Sequence, residues 1–107
     1  MNLMEKLEFK FPAQAGKTSP ITALCGVVGS GNLEILVRTG SDADVCEVSI
    51  KTSARGFGEI WQAVLTDFAE HNPAGGTRIF INDMGATPAV VSLRLGQALT
   101  EYLGVAQ

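Results

Sequence analysis

The spacing of apolar residues changes near residue 56, and that change limits the fold more than any other feature of the chain. Before it, apolar and polar positions alternate. In 7–11, Leu7, Phe9 and Phe11 alternate with Glu8 and Lys10, the period of a half-buried strand. In 33–38, Leu33, Ile35 and Val37 oppose Glu34 and Arg38; in 45–51, Cys46, Val48 and Ile50 oppose Glu47, Ser49 and Lys51. The small apolar run 22–28 reads as a central strand. After residue 56, Phe57, Ile60, Trp61, Val64, Leu65 and Phe68 recur at helical spacing. They form one stripe of a helix over 56–71. Glu59, Gln62, Thr66 and Glu70 take the opposite side.

Pro73 disfavours helical geometry at Asn72 and ends that helix. The run 77–83 is a fifth strand, with Ile79 and Ile81 on one face. Thr87 and Pro88 are an N-cap and first-turn pair, opening a last helix over 88–103 with Gly104 as its C′ residue. Val91, Leu95, Ala98, Leu99 and Tyr102 make its inner stripe. Val90 and Leu93 fall on its outer side with Arg94, Gln97, Thr100 and Glu101, which raises a docking patch for another subunit as one reading. Gly96, inside this helix, suggests close packing there. The resulting order is ββββαβα. It predicts an α+β domain over 1–107: a mostly antiparallel sheet of about five strands, both helices on one face, the other face wet.

Several chemistries can be set aside. With 107 residues the chain is one domain. Its formal net charge of −3 argues against a nucleic-acid surface. The N-terminus MNLMEKLEFKFP has no secretory h-region, and no apolar run reaches the ~20 residues of a membrane helix. A cytoplasmic protein is expected. Cys25 and Cys46 form no CxxC pair, and His71 is the single histidine. A metal site therefore lacks ligands, and the cysteines read as buried apolar thiols. His71 lies four residues after Asp67 at a helix C-terminus, where both the dipole and the carboxylate favour it. That role is structural, and no catalytic residue is expected.

The stretch GVVGSGNLEIL sets Ser30 between Gly29 and Gly31. A dinucleotide or P-loop cradle would lead into a helix, but here it leads into a strand. Ser30 has no evident base to activate it as a nucleophile. It is then either a plain hairpin residue or an acceptor that another enzyme esterifies. The glycines allow a tight turn and clear side chains from around the hydroxyl. In INDMGATP, Asn82 and Asp83 read as turn-bonding groups, Gly85 as a positive-φ residue and Thr87 as the cap.

Together, GVVGSGNLEIL and INDMGATPAVVSLRLGQAL resemble the acyl carrier (delta) subunits of malonate decarboxylases, in order and spacing over 7–103. The pattern NDxGATPxVVxLRLxQ is the more specific part. A more distant similarity is to the acyl carrier subunit of citrate lyase. The resemblance implies that Ser30 is joined by a phosphodiester to 2'-(5''-phosphoribosyl)-3'-dephospho-CoA, with Gly29 and Gly31 in the hairpin that presents it. It also implies transferase and carboxyltransferase-like partner subunits, and a separate enzyme that attaches the group. Asn32 stands where an acidic residue is common in the family. Helical-bundle acyl carriers are excluded, because this chain is mostly strand before residue 52. An unmodified ligand-binding or regulatory α+β domain is the alternative of another class.

Overall fold

The computed structural model describes residues 4–14, 27–30 and 32–106, without the side chains of 27–30, 105 and 106. In chain order the elements are β1 (Glu5–Pro12), β2 (Val27–Ser30), β3 (Leu33–Thr39), β4 (Val45–Thr52), α1 (Gly58–His71), β5 (Thr77–Asp83) and α2 (Pro88–Ala106). This is the expected ββββαβα order and α+β class. Alternation does what it predicts. Leu33, Ile35, Val37, Cys46, Val48, Ile50, Ile79 and Ile81 are all buried, and Glu34, Arg38, Lys51 and Asn82 on the other face are exposed. The helices add Trp61, Leu65 and Phe68 from α1, and Val91, Leu95, Leu99 and Tyr102 from α2, to one continuous core.

The sheet runs β1-β4-β5-β3-β2. Three neighbouring pairs are antiparallel, but β4 and β5 are parallel. The sheet is therefore mixed. A parallel pair needs a long crossover, and α1 supplies it. Among the described strands the one ending in Ser30 is at the edge, not the central one expected from its apolar composition. The central place belongs to β5, whose two neighbours, β3 and β4, both precede it in sequence. Residues 22–26 of the expected strand, and Cys25 with them, lie outside the described residues.

The helix ends also differ from expectation. Gly56 has φ +85°, a left-handed conformation that ends the preceding turn, so α1 starts at Gly58. At the other end, α2 runs through Gly104 to Ala106. The Tyr102 hydroxyl is 2.8 Å from Oγ1 of Thr39, and the buried Tyr102 ring holds this last turn against the sheet. The start of α2 is as expected: Val90 N donates to Oγ1 of Thr87 at 3.3 Å, and Pro88 is the first helical residue.

Candidate functional site

The β2–β3 hairpin ends at the pair Ser30–Leu33. Gly29 lies within β2 opposite Glu34, and Gly31 lies outside the described residues. Leu33 pairs in turn with Asp83 on β5, Asp83 with Thr52 on β4, and Thr52 with Glu5 on β1. One row therefore crosses the whole sheet from Ser30 to Glu5. At 4.7–4.9 Å per strand, the Ser30 backbone is about 10 Å from that of Asp83.

That row brings the two sequence motifs together. Met84 N donates to the carbonyl of Asn32 at 2.8 Å, tying the turn of the hairpin to the loop before α2. The loop itself is held by Asp83, which is 2% exposed. One carboxyl oxygen accepts from the N–H groups of Gly85 (3.2 Å) and Ala86 (2.8 Å). The other accepts from Oγ1 of Thr52 at 2.8 Å, and that oxygen accepts from Ala54 N at 3.0 Å. Gly85 has φ +108°, the conformation expected of it. The structural reading of Asp83, Gly85 and Thr87 thus holds.

Beside this loop, the first turns of α1 and α2 flank a cleft of about 320 Å³. Phe57, Ile60, Trp61, Val64, Ala86 and Val91 line it, with Asp83 at its floor. Phe57 and Ile60 were expected in the buried stripe of α1, yet each is 45% exposed. They are its mouth. Helical periodicity assigns a face but cannot show that a neighbouring element leaves part of that face uncovered.

His71 sits far from the hairpin. The 14 residues of α1 span about 21 Å, and they carry His71 to the opposite end of the sheet from Asp83. Its Nδ1 is 2.8 Å from the Asp67 carbonyl and 3.2 Å from the Asp67 carboxylate. That carbonyl, and then that carboxylate, raise its pKa above the ordinary histidine value. Cys46 is a free, buried thiol. Burial raises its pKa, against a smaller lowering by the Thr77 hydroxyl. Among the described residues no cluster of three or more His, Cys, Asp or Glu is placed to hold a metal, and no helix is long and apolar enough to cross a membrane.

On the outer side of α2, the two expected patch residues separate. Val90 packs partly buried against the core, whereas Leu93 is 57% exposed. Arg94 is half-buried rather than outward. Its Nη1 donates to Gln97, and its buried Nε has no hydrogen-bond partner. Among the described residues, no heavy atom outside its own helix lies within 4 Å of where a Cβ on Gly96 would stand, so the close packing expected there is not seen. Periodicity had put Val90 and Arg94 outside because it sees one helix, not the sheet that α2 overhangs.

Comparison with known proteins places this arrangement. The family model described as "Malonate decarboxylase delta subunit (MdcD)" matches residues 21–102. A malonate decarboxylase acyl carrier protein of Burkholderia cepacia is 60% identical over 100 residues, covering 92% of this chain and 90% of that protein. One from Acinetobacter calcoaceticus is 50% identical over 101 residues, covering 94% and 99%. A chain in the crystal structure of a Pseudomonas malonate decarboxylase hetero-tetramer in complex with malonate superposes with a TM-score of 0.71 at 36% identity, covering 91% of this chain and 97% of that one. With its Ser30 hairpin bonded to the Asp83 loop, this chain belongs to the malonate decarboxylase delta subunit family.

Proposed function

We propose that this chain is the acyl carrier subunit of a malonate decarboxylase, a non-catalytic domain that bears its prosthetic group on Ser30. The observation that carries this reading is the 50–60% identity, over nearly the full length, to proteins named as malonate decarboxylase acyl carriers. The hairpin suits the task. Ser30 ends an edge strand, so an attaching enzyme can approach without parting two strands. Asp83, the acidic residue in the same row, has its carboxyl oxygens engaged inside the fold and presents no free charge to a phosphodiester.

The group proposed is 2'-(5''-phosphoribosyl)-3'-dephospho-CoA, which supplies a terminal thiol able to hold acetyl or malonyl as a thioester. This chain's own part is to carry Ser30 at the end of the β2–β3 hairpin, whose turn is tied through Asn32 and Met84 to the loop before α2. Tethering makes each transfer effectively intramolecular, at an effective concentration on the order of mM. Transferase and carboxyltransferase-like subunits are its partners, and a separate transferase attaches the group. The solved relative comes from a hetero-tetramer, which supports a place in a multi-subunit assembly. The free thiol of Cys46 accords with work in the cytoplasm.

The test is the intact mass of protein made in its native cells. Wild type should carry an adduct that a peptide map locates at Ser30, and Ser30→Ala should lack it while still folding. A fully active native complex whose carrier has the bare polypeptide mass would end this reading.

A further inference from the structure

We propose that the cleft between the first turns of α1 and α2 shelters the acetyl thioester at the end of this chain's own prosthetic arm. The proposal rests on the carrier reading and adds a second site to it. Three observations lead there. The cleft adjoins the attachment point: Asp83, at its floor, is two strands from Ser30 in the same row, and Met84 beside it is bonded to Asn32 of the hairpin. The cleft is apolar, and its mouth keeps Phe57 and Ile60 half in water, a cost recovered when an apolar group covers them. Its volume of about 320 Å³ is at the small end of ligand pockets, which run ~300–1,000 Å³. That is room for the end of an arm.

The same chemistry selects between loads. An acetyl thioester brings only a methyl, a carbonyl and a sulfur. A malonyl thioester brings a carboxylate as well, and among the described residues that line the cleft there is no lysine, arginine or histidine. Its walls are mostly aromatic and aliphatic, and its one carboxyl group, Asp83, is already engaged by Thr52, Gly85 and Ala86. Burying an unpaired charge is strongly unfavourable. The acetyl form therefore docks, and exchange to malonyl releases the arm towards the partner that acts on it. Modest affinity is enough: with a tether giving on the order of mM, a site of ~0.1 mM intrinsic affinity is occupied about ten times as often as it is empty.

Hydroxylamine reads this directly. Its nitrogen attacks the thioester carbonyl, the C–S bond breaks, acetylhydroxamate leaves and the thiol is regenerated. The full chain, loaded in its native cells, is treated alongside acetyl-CoA, and loss of the acetyl mass is timed. Wild type should be cleaved about tenfold slower than acetyl-CoA, and Ile60→Glu at the acetyl-CoA rate. The malonyl-loaded chain should react as fast as malonyl-CoA. Trp61, the chain's single tryptophan, lines the cleft, so its emission should differ between acetyl and malonyl forms of wild type and not of Ile60→Glu. Equal cleavage of wild type and acetyl-CoA, with the adduct present on Ser30, overturns the shelter and leaves the carrier reading standing. So does protection unchanged in Ile60→Glu with assembly lost, which would make the cleft a subunit interface. Equal protection of both loads removes the selectivity. A chain with no adduct at Ser30 overturns the carrier reading itself.

Discussion

Asp83 bonds three partners in two segments: Thr52 at the end of β4, and the N–H groups of Gly85 and Ala86 in the turn into α2. All three partners depend on one side chain with almost no exposure. Asp83→Ala would leave a buried hydroxyl and two backbone donors without their acceptor. Leaving a buried polar partner unmatched costs ~1–3 kcal/mol. Because water can reach part of the turn, a total loss of about 3 kcal/mol is expected rather than the full sum. Asp83→Asn keeps one acceptor oxygen for the two N–H groups and should cost about half as much. Urea unfolding measures both. A change under ~0.5 kcal/mol in Asp83→Ala, the size of an ordinary surface substitution, would show that the turn holds without it. The consequence reaches the hairpin, because Met84, next in sequence, holds the Asn32 carbonyl.

Among the elements, α2 keeps a glycine its packing does not need. A methyl group at Gly96 would meet no heavy atom within 4 Å apart from its own helix, and helical glycine costs ~1 kcal/mol relative to alanine. Gly96→Ala should therefore raise stability by about 1 kcal/mol, seen as a higher denaturation midpoint with an unchanged denaturant slope. A lower midpoint would mean that something crowds this position after all. The element scale is also where sequence reasoning divides. The strands at 33–39, 45–52 and 77–83 and the Thr87–Pro88 start of α2 were legible, because alternation and capping are local. The parallel β4–β5 pair was not: β5 passes between β3 and β4 through contacts far apart in sequence, although a strand–helix–strand run is the signature of such a crossover. Gly104 was read as a stop because glycine often ends helices, but the anchored Tyr102 carries α2 past it. At the site, the motif loop was legible down to the φ of Gly85. The cleft was hidden, since Phe57 and Ile60 look like core residues until the structure shows each half exposed at its mouth.

For the whole molecule, the order β1-β4-β5-β3-β2 sets a gradient of stability across the sheet. The central strand β5 pairs on both sides, with Ile79 and Ile81 at most 1% exposed within the shared core. Its amides can open only when the domain unfolds. Among the described residues the four-residue β2 pairs on one side alone, so its release breaks few bonds and leaves the core in place. Local opening free energies run from near zero at frayed edges to the global value in core strands. Native-state hydrogen exchange should therefore find residues 79–81 protected at the global level and residues 27–30 exchanging much faster through local opening. The attachment serine would then sit on the part of the sheet that yields most easily to a modifying enzyme, while the row through Leu33 and Asp83 stays shut. If the amides of 27–30 exchange as slowly as those of 79–81, the hairpin belongs to the cooperative core, and access to Ser30 must come from the turn alone.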